Sequence, residues 1–258
     1  MGITTDNMID IHTHILPGVD DGATTIEESL EIIDYLKDVG MTDIVLTSHY
    51  IKSTDYNSNQ AQRKKIFKQL KSKIEKTGIH LYLGNEVYLC DDIMDLLKEK
   101  EIVTLNDTKY MLIELPLTGY LNNLSDILCN LTEHGIIPII AHPERYHFLQ
   151  KDKKRVRELL EFNCLLQCNI DSITGKYGKK AKKLMKWLLK NDLVAFVATD
   201  THYVEKKKYL RRSFKKLKRM IGKEKFLELT KTNPEKMLRG ETVEGSLNYL
   251  IREEQNRN

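Results

Sequence analysis

The sequence predicts one α/β domain folded as a barrel of about seven strand–helix units, and three observations lead there. Short β-rich runs alternate with amphipathic stretches of helical spacing along nearly the whole chain, with no linker and no break in composition. Alternation of this kind implies a parallel sheet, and a ring of that many units implies closure into a barrel. The 258 residues, 41% hydrophobic and 30% charged, suffice for one large soluble domain with a full core. Finally, six of the seven β-rich runs finish on His, Asp or Glu, and a barrel of this class carries its active site at the C-terminal ends of its strands.

Residues 8–11 are a short apolar run broken by Asp10 and read as a buried strand, with His12 and His14 at its end. Pro17, Gly18 and Gly22 then turn the chain, with Asp20 and Asp21 inside the turn. Residues 25–39 repeat apolar side chains at helical spacing; Thr25 and Glu28 suit a capping box, and Gly40 stops the helix. A second strand, 43–49, ends on His49, and a helix over about 59–76 is stopped by Gly78. The third strand, 79–86, ends on Glu86 and precedes a short helix over 91–100. The fourth, 110–114, ends on Glu114 and precedes a helix over 124–134. The fifth, 136–142, ends on His142 and runs into Pro143, Glu144 and Arg145, with a helix over 152–162. The sixth, 164–170, offers only Asn169 and Asp171, and is followed by a basic helix over 176–190 with Trp187 on its apolar side. The seventh, 193–199, runs into Asp200, Thr201 and His202. The remainder of the chain is helical and charged. The expected organisation is a polar extension or expression remnant over 1–7, the barrel over 8–240, and a charged, poorly ordered tail over 241–258.

No apolar run approaches the length of a bilayer span, and residues 1–7 lack the apolar stretch of a signal peptide. A cytoplasmic protein without membrane insertion is therefore expected. Cys90, Cys129, Cys164 and Cys168 form no C-x-x-C pair, and none opens the C-x5-R loop of cysteine-dependent phosphatases. They read as inert thiols in a reducing compartment. The net charge of +4 comes from lysine- and arginine-rich stretches over 145–190 and 206–225. Solvated helix faces account for most such runs; attraction to an acidic or phosphorylated partner is the alternative. No nucleic-acid partner is expected.

The strand ends carry the chemistry. Alternate residues of a strand share a face, so His12 and His14 aim two imidazoles at one point. Of the 8 histidines, His12, His14, His49, His142 and His202 fall at strand ends, whereas His80, His134 and His147 read as structural. With the carboxylates they exceed what one closed structural zinc needs. Mixed imidazole and carboxylate ligation suits two or three Mn, Fe or Zn ions, which lower the pKa of a bridging water and clamp a phosphoryl group. Arg145 lies within reach of the same mouth, where its guanidinium matches phosphate oxygens; a salt bridge with Glu144 is the plainer alternative.

The motifs His12-Thr13-His14, Asp20-Asp21-Gly22, Thr47-Ser48-His49, Gly84-Asn85-Glu86, Leu112-Ile113-Glu114, the run from Ala141 through Arg145 to Tyr146, and Thr199 to His202 resemble the PHP (polymerase and histidinol phosphatase) superfamily. The chain is similar above all to its manganese-dependent protein-tyrosine phosphatases of Gram-positive capsule and exopolysaccharide loci, the CpsB/CapC/YwqE type. The resemblance runs from Met8 to about Arg239. It implies a distorted (β/α)7 barrel holding roughly three Mn2+ ions. It assigns one ion to His12, His14, Glu86 and Asp200, a second to Glu86, Glu114 and His142, and a third to Asp21, His49 and His202. Asp20 is the less favoured of the acidic pair. Arg145 matches the phosphate-binding arginine, and with Asp21, His49 and His202 it is placed in catalysis. The family's second arginine is missing; Lys207 stands in its region as a substrate-binding point charge without the bidentate fork. The activity implied is hydrolysis of phosphotyrosine by metal-bound hydroxide, on a phosphorylated bacterial tyrosine kinase that controls polysaccharide synthesis. Three rivals stand beside it: a PHP phosphatase of histidinol phosphate or a nucleotide, an amidohydrolase, and a metal-stabilised binding module for the kinase. An amidohydrolase would place a bridging lysine where Glu86 and Glu114 stand.

Overall fold

Met8, Ile9 and Ile11 begin a strand buried along its whole length, β1 (Met8–Thr13), as a parallel strand covered on both faces must be. The computed structural model describes residues 7–205 and 207–244, and of Lys207 only the backbone. After β1 come α1 (Ile26–Val39), β2 (Met41–Leu46), β3 (His49–Tyr50), α2 (Gln60–Lys73), β4 (His80–Leu83), β5 (Glu86–Tyr88) and α3 (Ile93–Lys98). Then come β6 (Tyr110–Glu114), α4 (Leu124–Glu133), β7 (Ile137–Ala141), α5 (His147–Lys151), α6 (Lys154–Glu161), β8 (Leu165–Asn169), α7 (Gly178–Lys190), β9 (Phe196–Ala198), α8 (Lys207–Leu227) and α9 (Asn233–Leu238).

Every strand pair is parallel, but the expected single ring is two sheets: β1-β2-β4 and β3-β5-β6-β7-β8-β9. Two of the expected strands are interrupted, one at Thr47 and Ser48 and the other at Gly84 and Asn85. Side chains replace the ladder there. The Thr13 N–H donates to Thr47 Oγ1 at 3.0 Å. Asn85 donates from its amide to the Ser48 carbonyl at 3.0 Å and accepts from Arg63 Nη1 at 2.8 Å. Gly84 is needed at the second break, because a Cβ there would stand 2.6 Å from Leu105 Cδ2. At the opposite seam the segment after β9 runs beside β1. The Asp200 N–H donates to the His12 carbonyl and the His14 N–H to the Thr201 carbonyl, both at 2.9 Å. Fully buried Asp10 clamps this seam by accepting from the N–H and hydroxyl of Thr199. Among the described residues, β1 and β9 share no continuous ladder.

The elements depart from expectation in a few places. Thr25 Oγ1 accepts from the Glu28 N–H at 3.2 Å, but the Glu28 carboxylate goes to the N–H and hydroxyl of Thr24, so the capping box is shifted by one residue. Helix α2 stops at Lys73, because Thr77 folds its hydroxyl back onto the Ile74 carbonyl and forms a turn. The expected helix over 152–162 is α6, which starts at Lys154 where Asp152 accepts from the Lys154 N–H at 3.0 Å; a further short helix, α5, opened by His147, precedes it and was not expected. The start of the tail is docked rather than loose. Tyr110 donates its hydroxyl to the Glu241 carbonyl at 2.6 Å and accepts from the Val243 N–H at 2.9 Å, and Val243 is buried. The extension over 1–6 and the tail over 245–258 lie outside the described residues. A large apolar cluster joins the helices to the sheets, and a smaller one draws Ile9, Ile11, Tyr110, Leu112 and Ile139 from the strands, with Met237 of α9.

Candidate metal centre

The breaks and strand ends bring the ligand-type side chains to one place. His12 and His14 leave β1 on the same face, with their Nε2 atoms 3.2 Å apart. His12 Nε2 lies 3.1 Å from Glu86 Oε2 and 3.4 Å from Asp200 Oδ1; His14 Nε2 lies 3.3 Å from each of the same oxygens. These four buried residues form one group able to hold an ion. His49, Glu86 and Glu114 form a second. His142 adjoins it, with Nε2 at 3.0 Å from Glu86 Oε1 and 3.7 Å from Glu114 Oε1. His14, Asp21, His49 and His202 form a third, in which Asp21 Oδ1 stands 3.3 Å from His202 Nε2 and 3.7 Å from His49 Nε2. All nine ligand-type residues singled out in the sequence therefore converge.

Most imidazoles are oriented from behind. The Nδ1–H of His12 donates to Gln167 Oε1 at 2.8 Å, which directs Nε2 inward. Gln167 donates in turn to Asn169 Oδ1 at 3.0 Å, and Asn169 to Asp200 Oδ2 at 2.6 Å, so one polar chain fixes two residues of the buried group. Asp20 is an orienting group: it accepts from His14 Nδ1 at 2.8 Å and from the His49 N–H at 2.9 Å. Gly22 lets this turn lie against His14, because a Cβ there would fall 1.9 Å from the His14 carbonyl oxygen. His202 donates from Nδ1 to the Asp200 carbonyl at 3.0 Å. His142 and Asp200 both adopt left-handed backbone, with φ of 33° and 56°, a strain that clusters at functional sites.

The electrostatics suit a bound cation. Among the described residues, Glu86 Oε2, His49 Nδ1 and His142 Nδ1 are buried without hydrogen-bond partners, although His49 Nδ1 is only 3.1 Å from Glu86 Oε2. Burial opposes charge on His12, yet the Glu86 and Asp200 carboxylates raise its pKa to about 9. Burial, then the neighbouring Glu86 charge, lifts the Glu114 carboxyl to about 8. Burial alone would raise Glu86, but His12 and His49 hold it well below the usual carboxylate range. A cation at this place would favour the deprotonated forms of His12 and Glu114.

Arg145 alone of the run from Pro143 to Tyr146 faces the centre. Its Nη1 donates to Asp200 Oδ2 at 3.0 Å, and its guanidinium lies 4.8 Å from the centre of the Tyr177 ring. It does not pair with Glu144, which is buried and accepts from the Asn169 N–H at 2.9 Å and Ser172 Oγ at 2.7 Å. Tyr146 is also an anchor, accepting from the Leu115 N–H at 2.9 Å. Arg145, Tyr177, Asp200 and His202 line a cavity of about 180 Å³ with Lys176 and Tyr203. The backbone of Lys207 opens α8, and its side chain lies outside the described residues. The described cation that lines this cavity besides Arg145 is Lys176, 2.5 Å from Glu205. Sequence reasoning passed over Tyr177, Gln167 and Arg63, and gave Asn169 and Lys176 no role at the centre. The one available signal was a polar residue within an apolar strand, as at Asp10 and Gln167, which burial obliges to be hydrogen-bonded.

The likeness to known proteins follows the same residues. The chain is 35% identical to the tyrosine-protein phosphatase CpsB of Streptococcus agalactiae, over 92% of this chain and 100% of that one. It is 31% identical to the tyrosine-protein phosphatase YwqE of Bacillus subtilis, over 92% and 93%. Among solved structures it matches one from a study of YwqE from Bacillus subtilis and CpsB from Streptococcus pneumoniae, described as unique metal-dependent tyrosine phosphatases. That match has a TM-score of 0.85 and 30% identity, covering 92% of this chain and 97% of the other. The family profile described as capsular polysaccharide synthesis, CpsB/CapC, matches residues 8–239, and the chain belongs to the CpsB/CapC family.

Proposed function

We propose that the chain is a metal-dependent tyrosine-protein phosphatase acting on phosphotyrosine of a bacterial tyrosine kinase that controls capsular or exopolysaccharide synthesis. The observation that carries this reading is the position of Arg145. A guanidinium that is not a ligand faces a cluster of imidazoles and carboxylates with orphaned buried atoms, in a family whose relatives are named tyrosine-protein phosphatases. One ion would be held by His12, His14, Glu86 and Asp200, a second by Glu86 and Glu114 with His142 or His49, and a third by Asp21, His49 and His202. Mn2+ is the proposed metal, and the same donor set accepts Fe or Zn. When bound, such ions supply an activated water and neutralise charge on phosphoryl oxygens.

The chain's own residues do the rest. Arg145 presents a fork to two phosphoryl oxygens. The Gln167–Asn169 chain and Asp20 hold His12, Asp200 and His14 in place before substrate arrives. The leaving tyrosine has a pKa near ~10, so it needs less proton assistance than an alkyl alcohol. No thiol is offered as a nucleophile, since burial raises Cys90 to about 12 and pushes Cys164 and Cys168 up as well. We read the two sheets as one distorted seven-unit ring with its seam between β9 and β1, spanning residues 8–240 of a cytoplasmic protein. The test is turnover of a phosphotyrosine peptide against histidinol phosphate with Mn2+ present. Faster release from the peptide is expected; preference for histidinol phosphate would move the function to a small phosphomonoester.

A further inference from the structure

The mouth that holds Arg145 continues away from the centre. Arg145 and Tyr177 also line a groove of about 420 Å³ with His147, Gln150, Lys179 and Lys180. His147, Gln150 and Lys180 then line a second groove of about 610 Å³, with Lys151, Lys153, Lys154 and Lys183. Neighbouring hollows share lining residues, so the three adjoin in sequence as a surface track from the metal centre along the cleft where α5 and α6 face α7.

The track is strongly cationic. Among the described residues, the carboxylate that lines the two grooves is Asp152, whose Oδ1 accepts from the Lys154 N–H. Lys153 lies 5.0 Å from the centre of the Trp187 ring. Among the described residues, Lys151, Lys154, Lys179, Lys180 and Lys183 make no ion pair. The first turns of α6 and α7 carry Lys154 and Lys179–Lys180 and no acidic residue. Cations at a helix N-terminus are unfavourable by themselves, so both helices add uncompensated positive potential to the groove.

We propose that this track binds acidic or phosphorylated side chains flanking the phosphotyrosine in the same substrate chain, so that the enzyme selects phosphotyrosine set in an anionic stretch. The proposal rests on the phosphatase reading for the site at the end of the track. A flat membrane surface does not reach into a cleft between helices. A single-stranded nucleic acid needs aromatic platforms, and the Tyr177 ring of the track is covered by Arg145.

The experiment uses the full, metal-loaded chain and two labelled phosphotyrosine peptides, one flanked by Glu and one by Gln. Binding is read by anisotropy and turnover by phosphate release, for wild type and the Lys151→Ala/Lys154→Ala/Lys183→Ala variant. Wild type is expected to bind the Glu-flanked peptide about tenfold more tightly, the size of several exposed charge pairs acting together. The preference should collapse at high salt and in the variant, with kcat/KM relative to p-nitrophenyl phosphate following it. Lys183→Glu alone should reproduce part of the loss in a minimally altered protein. Equal binding of both peptides by wild type, or an unchanged preference in the variants, overturns the proposal. So does a lysine-dependent affinity seen only for anionic vesicles or DNA. Failure of the phosphatase reading looks different: lysine-dependent binding of the Glu-flanked peptide with no phosphate released from either peptide.

Discussion

The two ends of the candidate centre are built to different standards. At the buried end, the side chains of His12, Glu86 and Asp200 are 0%, 1% and 4% exposed, and the Gln167–Asn169 chain ties His12 to Asp200. At the open end, the side chain of Asp21 is 48% exposed and that of His202 22%, and Asp21 stands against His202 and His49, both ligand-type residues. Preorganised, dry ligands hold an ion tightly, whereas exposed ones release it and admit water. The difference assigns structural permanence to one end and substrate entry to the other.

The largest effect is expected at the buried end, against which the open end is compared. Glu86 contributes to two groups, so Glu86→Ala should abolish turnover by more than about a thousandfold and lower metal content, by elemental analysis, at both. Asp21→Ala should cost less, with activity recovered by excess Mn2+. If the two variants lose equally and irreversibly, the ends are not distinct. Next is Arg145→Ala, where a bidentate charge-assisted contact in a closed site is worth roughly 2–4 kcal/mol, about thirty- to thousandfold in kcat/KM. Metal content should hold, because Asn169 still donates to Asp200, and Arg145→Lys should recover only part of the loss. Near wild-type kcat/KM in Arg145→Ala would reduce the residue to a partner of Asp200.

Asn169→Ala sharpens the buried end alone. Removing a group that orients a ligand costs about ten- to a hundredfold in metal affinity, and the loss should appear in metal titration before it appears at saturating metal. An unchanged titration would make the polar chain incidental. Smallest are single Cys→Ser changes at 90, 129, 164 and 168, expected to leave kcat within about twofold because the thiolate is the nucleophilic form and these thiols are held up. A loss beyond about a thousandfold at any of them, in folded protein, would reinstate a thiol nucleophile.

The converging residues were legible because each sits at the end of a β-rich run, and parallel strands bring such ends together. What holds them was not. His12 meets Gln167 across 155 residues and Thr199 meets Asp10 across 189, and nothing local marks either pair beyond a polar side chain in an apolar strand. The strand breaks were hidden for the same reason. Thr47 and Asn85 replace ladder bonds with side-chain bonds to distant partners, so a run that reads as one strand becomes two. The docked start of the tail depends on one tyrosine hydroxyl more than a hundred residues away, at Tyr110.

The central claim is that the buried and open ends together form one metal centre for phosphotyrosine hydrolysis. Phosphate release from a phosphotyrosine peptide, measured together with bound metal as metal-stripped protein is titrated with Mn2+, tests it most directly. The account predicts no turnover without metal, retention of the buried ion at the lowest free Mn2+, and turnover rising only as the open end fills. Full turnover in chelator, from protein carrying no metal, would contradict it.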